Sequence, residues 1–125
     1  MEYSVEYDPA EKMIVATISG KTELLKLRAF GKAIIHLAKR ENCFHILTDM
    51  RHADLHVSVL EIFNLPQTLA EIAKAQELDI SAFKRAFVAL KEQDILDFYE
   101  TVSRNRSHLI KLFFDMEEAK NWLRG

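Results

Sequence analysis

Apolar residues recur along this chain with two different periods, and the switches between them mark out the elements. Tyr3, Val5 and Tyr7 alternate with Ser4 and Glu6, the period of two expected of a strand with one buried face. Asp8-Pro9-Ala10-Glu11-Lys12 has turn chemistry, because Pro9 fixes φ and cannot donate to a ladder. Met13 to Ile18 is a β-branched, mostly apolar run that reads as a strand covered on both faces and closed by Ser19-Gly20. These two strands make a hairpin. From Leu24 the period changes. Leu24, Leu27, Phe30, Ile34 and Leu37 fall at spacings of three and four, with the charged residues mostly off that stripe. The pattern predicts an amphipathic helix of about four to five turns, capped by Thr22 and stopped at Asn42.

Phe44 to Thr48 reads as the third strand, ending at Asp49 and followed by a polar connection from Met50 to His56. Ser58 and Glu61 form an S-x-x-E capping box that opens the next helix. Pro66 interrupts it, either as a kink or as the first residue of a second segment running to about Ala75. Phe83 to Leu90 is the fourth strand, and Asp94 caps a helix containing Ile95, Leu96, Phe98, Tyr99 and Val102. Arg104-Asn105-Arg106-Ser107 is a polar break before a fifth strand, Leu109 to Phe114. Asp115 and Glu118 form a second capping box for a last helix carrying Ala119, Trp122 and Leu123. The order is β-β-α-β-α-β-α-β-α. Strands joined through helices must run parallel with right-handed crossovers, so the fold class is α/β: a mixed five-stranded sheet packed against helices, with the hairpin supplying an antiparallel edge.

Composition narrows the picture modestly. A chain of 125 residues fits one domain, residues 1–125. The formal net charge of -2 argues against broad electrostatic binding to nucleic acid or to an anionic membrane surface. Cys43 is the only cysteine, so no internal disulfide can form and a reducing, cytoplasmic setting is expected. The sequence enters strand-like residues directly, without a secretory leader pattern, and its apolar runs are far shorter than a membrane span.

Candidate chemistry concentrates after the third strand, where open α/β sheets hold their ligands. Asp49, Arg51, His52, Asp54, His56 and Ser58 all fall there. Two carboxylates and two imidazoles within eight residues could serve a metal or an acid–base pair. The spacing matches neither use, however, and a solvated polar loop in which Asp49 and Arg51 pair locally is the simpler expectation. Ser58 at a helix N-terminus could accept a phosphate, or could act only as the cap. Arg104 and Arg106 could contact phosphate or simply complement a helix C-terminus. No glycine-rich phosphate loop and no nucleophile elbow occurs. No cofactor and no metal site are expected.

Several stretches also resemble a known group: Tyr3-Ser4-Val5-Glu6-Tyr7-Asp8-Pro9, Ile14-Val15-Ala16-Thr17-Ile18-Ser19-Gly20, Leu47-Thr48-Asp49-Met50-Arg51, and Phe113 through Leu123. With the element order, they resemble the STAS-like superfamily, the anti-sigma-factor antagonist or SpoIIAA-like domains. The resemblance implies a non-enzymatic regulatory module that binds a protein partner or a second copy of itself. In many members a serine at the start of the helix after the third strand is phosphorylated within a D-S-G-like motif. Ser58 falls near that place, but Val57 precedes it and no glycine follows. Some relatives are thought to hold lipid-like ligands, which here implies an apolar pocket beneath the Pro66-broken helix, lined by Leu60, Phe63, Leu65 and Leu69. Three functions are therefore carried forward, in this order: a protein-interaction module, a carrier of a small apolar ligand, and a small enzyme using the polar segment after the third strand.

Overall fold

The computed structural model describes residues 2–125. Strands β1 (Tyr3–Asp8) and β2 (Met13–Thr22) form the opening hairpin. Helix α1 (Leu24–Glu41), strand β3 (His45–Leu55), helix α2 (Val59–Ala75), strand β4 (Lys84–Val88), helix α3 (Asp94–Asn105), strand β5 (Leu109–Phe113) and helix α4 (Met116–Arg124) follow. The spatial order is β1-β2-β3-β4-β5, with β1 antiparallel to β2 and every later pairing parallel. When strands are added in one direction, right-handed crossovers must all lie on one side of the sheet. Helices α1, α2 and α3 obey this. They pack side by side over a main core built on Ile14, Ala16, Ile18, Ile46, Met50 and Ile110. Helix α4, free of any crossover, covers a smaller cluster on the opposite face: Met13, Leu47, Ala86, Val88 and Phe113 against Ala119 and Leu123.

Local chemistry accounts for the helix ends, with two departures from expectation. Asn42 stops α1 as expected, sitting in the left-handed region (φ 50°, ψ 47°) with its N–H returned to Ala38 and Lys39 carbonyls. Thr22, by contrast, is not the cap of α1. It is the fully buried last residue of β2, its hydroxyl donating to the Gly20 carbonyl, and Glu23 occupies the cap position without a side-chain bond. Asp94 likewise lies inside the first turn of α3, behind Gln93. Asp115 does cap α4, accepting from the N–H groups of Glu117 and Glu118.

Pro66 does not divide α2, which runs unbroken from Val59 to Ala75. A proline inside a helix removes one i→i−4 bond and crowds the preceding turn. Here the ring is fully buried within the helical layer, so tertiary packing offsets that loss. The third strand also departs from expectation. It continues six residues past Asp49, because β2 does not close at Gly20 but runs on to Thr22 and pairs with it: Ser19 with His52, Gly20 with Ala53, Lys21 with Asp54 and Thr22 with Leu55.

Candidate functional site

That extension contains a bulge that decides where the polar residues point. Between paired positions, β2 advances from Thr17 to Ser19 while β3 advances from Asp49 to His52, so β3 carries one extra residue. The slip keeps Ala53 and Leu55 on the core side and turns His52 and Asp54 toward the opposite, exposed face. The segment expected to be a polar loop is therefore the end of a strand, and its side chains are fixed by the pleat.

Within it the polar groups satisfy one another in pairs. Asp49 is buried; its Oδ1 accepts from the Arg51 backbone N–H at 3.1 Å and from Nε at 2.9 Å, and its Oδ2 accepts from Nη2 at 2.9 Å. The Arg51 hydrogen bond holds the Asp49 carboxyl below the usual carboxylate range against an opposing push from burial, with His52 adding a smaller attraction. Further along, Asp54 Oδ2 lies 2.8 Å from His56 Nε2, both side chains well exposed. Among the described residues no three His, Cys, Asp or Glu side chains come together as a metal set. Ser58 is the N-cap of α2 within a complete capping box: its hydroxyl oxygen accepts from Glu61 N–H at 3.1 Å, and Glu61 Oε1 accepts from Ser58 N–H at 2.9 Å. Arg104 belongs to α3 and donates to the Ile110 carbonyl, while Arg106 bonds Gln67 and stands over the Phe63 ring.

The apolar residues of α2 divide between two places. Leu65 and Leu69 line a cavity of about 70 Å³ between the helices and the sheet, together with Leu27, Phe30, Ile46, Phe83 and Leu96. Leu60 and Phe63 do not. They are 69% and 46% exposed, and Leu60 instead borders a surface groove with Leu24, Arg28, Asn64 and Thr68. Helical phase explains the split: Ile62, Leu65, Leu69 and Ala73 occupy the inward face, and positions 60 and 63 fall off it.

One residue of the cavity wall was not among the candidates from the sequence. Arg85, the second residue of β4, is 5% exposed and lies on the helix side of the sheet. Its Nη1 donates to the Tyr99 hydroxyl and its Nη2 to His108 Nδ1, each at 3.2 Å, while Nε is buried with no partner. Burial and the positive charges of Arg85 and Arg106 push His108 down to about 4, partly opposed by Asp79, so the imidazole is neutral and serves as an acceptor. The sequence did hold a signal. In Phe83-Lys84-Arg85-Ala86-Phe87 the alternation puts Arg85 on the same face as Phe83 and Phe87, an apolar face.

With its sheet order, its three helices on one face and its terminal helix on the other, the chain has the SpoIIAA-like α/β fold, which the sequence resemblance implied. Solved structures support this at the level of the fold. The unphosphorylated form of the anti-sigma factor antagonist SpoIIAA superposes with a TM-score of 0.58 at 11% identity, covering 98% of each chain. The phosphorylated form of the Bacillus cell fate determinant SpoIIAA gives 0.51 at 13% identity, covering 98% of this chain and 99% of its own. An uncharacterized DUF3478-family protein with a SpoIIAA-like fold from Shewanella loihica PV-4 gives 0.56 at 14% identity, covering 97% and 91%. No family model matches the sequence and no curated protein matches it.

Proposed function

We propose that this protein is a non-catalytic, cytoplasmic interaction module that docks a partner protein at the N-terminal half of α2. The observation behind this reading is a surface one. Val59, Leu60 and Phe63 stand exposed on the first two turns of α2; Leu60 borders the groove with Leu24, Arg28 and Glu61, and Arg106 stands over the Phe63 ring. Large apolar side chains clustered beside guanidinium groups match the composition of protein interfaces, where aromatic and Arg residues are enriched. A complementary partner presents apolar anchors rimmed by carboxylates. Ser58 sits at the edge of this surface with its hydroxyl exposed. A phosphate there would meet the N-terminus of α2 but also the Glu61 carboxylate that closes the capping box, so it would rearrange the edge of the docking face. The fold likeness to an anti-sigma factor antagonist supports the same class of function, and the buried thiol of Cys43 suits a reducing compartment.

Affinity capture from cell extract with three forms of the protein tests this reading. A partner bound by the wild type and by Lys111→Glu on the opposite face, but lost from the Leu60→Glu/Phe63→Glu double variant, is the expected result. Equal retention by all three forms overturns the proposed surface. A second reading, a carrier of a small apolar ligand, is favoured by one observation: the cavity beneath α2, whose walls are apolar apart from Thr48, Arg85 and Tyr99. Recovery of a stoichiometric small molecule by organic extraction of gently purified protein supports it, and a cavity filled only by water sinks it.

A further inference from the structure

We propose that the cavity binds an apolar monocarboxylate, with the carboxylate held by Arg85 and the hydrocarbon lying against the leucine and isoleucine walls. The proposal rests on the second reading above and adds the chemistry of the ligand. Arg85 is a permanent cation with five N–H donors, and a buried charge is normally found paired with an opposite one. None of the ion pairs among the described residues involves it. Neither of its two side-chain partners, Tyr99 and His108, is a carboxylate, and its Nε has no partner although the residue is more than nine-tenths buried. Carboxylate is the anion that fits this vacancy in bonding. Two oxygens on one carbon match the parallel N–H donors along one guanidinium edge, and a single negative charge matches a single cation. A phosphate dianion would bring more charge and more acceptors than these walls can satisfy.

The remaining walls choose the rest of the ligand. Apart from Thr48 they are aliphatic and aromatic, with Leu65, Leu69, Ile46 and Phe83 among them. A cavity of about 70 Å³ is about half the ~150 Å³ that accepts benzene, so the carboxylate and one or two carbons fit it as it stands. The hydrocarbon of hexanoate, and still more that of a longer acid, enters only with α1 and α2 moving apart. Both sources share the same chemistry at Arg85.

The test titrates the full chain with hexanoate, hexan-1-ol and dodecanoate, following the Arg85 Nε–H resonance by ¹⁵N NMR. Hexanoate is expected to shift that resonance saturably and to bind at least tenfold more tightly than the alcohol. In Arg85→Met this preference is expected to vanish while the alcohol still binds. Tighter binding of dodecanoate than of hexanoate identifies a long-chain source, and the reverse order a short-chain one. If the alcohol binds the wild type as well as the acid does, the Arg85 assignment is overturned and the apolar-carrier reading survives. If none of the three binds, both fall. The wild-type comparison decides the matter even if Arg85→Met fails to fold.

Discussion

Two ionisable residues make opposite use of burial, and each gives stability a pH dependence of stated sign. Asp49 is held as a carboxylate by Arg51, below its ordinary value of 3.8. A carboxyl lowered on folding contributes stability that is present above the unfolded value and is lost as pH falls through the folded one. Asp49→Asn is therefore expected to cost about 1–2 kcal/mol at pH 7, with the difference from wild type shrinking below about pH 4 in urea titrations. A constant difference down to pH 3 would mean that shape, not charge, is at work. His108 is neutral in the fold and titrates at about 4 instead of 6.5. The unfolded chain binds its proton first, so stability is full above pH 6.5 and declines as pH falls toward 4. The depression corresponds to about 3 kcal/mol at pH 4 by linkage. His108→Gln offers Arg85 a carbonyl acceptor that does not titrate, so its stability curve is expected to be flatter between pH 6.5 and 4. A parallel curve would show that other groups set the acid sensitivity.

At the scale of elements, the helices were legible where a stripe and an N-cap coincide, as in α2 with its full capping box and α4 with the Asp115 cap alone, because those signals are local. They failed where a partner decides the outcome. The six residues after Asp49 read as loop because Arg51, His52 and Asp54 are polar; they are strand because β2 lies alongside. Only the bulge in β3 lets that strand keep its exposed face polar and its inner face apolar, and a bulge has no signature in one strand's sequence. Pro66 carried a strong local signal that burial overrode, and the same helix hid the division of the candidate pocket residues between core and surface. Gly31 shows the contact that sequence could not reveal. A Cβ there would meet Leu69 Cδ2 at 2.5 Å, so the Leu69 side chain of α2 packs directly on the backbone of α1 at this glycine. Gly31→Ala brings about 1 kcal/mol of helix propensity, and the obstacle is the end of a flexible side chain that borders a cavity. The expected outcome is thermal stability within about 1 kcal/mol of wild type, with Leu69 pushed into the cavity and hexanoate binding weakened. A loss of several kcal/mol would show that Leu69 cannot move. Ser58→Ala removes half of the capping box and is expected to cost about 1 kcal/mol in urea unfolding; a change near zero would mean that Glu61 alone holds that end of α2.

The whole molecule is asymmetric about its sheet. Three helices cover one face over a large core, and the other depends on α4 alone, nine residues long at the end of the chain. So short a helix is marginal by itself in water. Its order comes from burying Ala119 and Leu123 on the sheet, supported by the Asp115 cap, by Lys84 Nζ donating to the Trp122 carbonyl at 2.6 Å, and by an ion pair between Arg124 and Glu11. Conversely, Leu47, Ala86 and Val88 stay dry only while α4 is in place. Helix and sheet face should therefore unfold together. Leu123→Ala removes a fully buried side chain from the centre of this contact and is expected to cost about 2–5 kcal/mol, with the urea m-value unchanged and fluorescence of Trp122 reporting the same midpoint as far-UV circular dichroism. Two separated midpoints would show α4 detaching ahead of the sheet. The helix would then be a movable cover on this face, not a part of the cooperative fold.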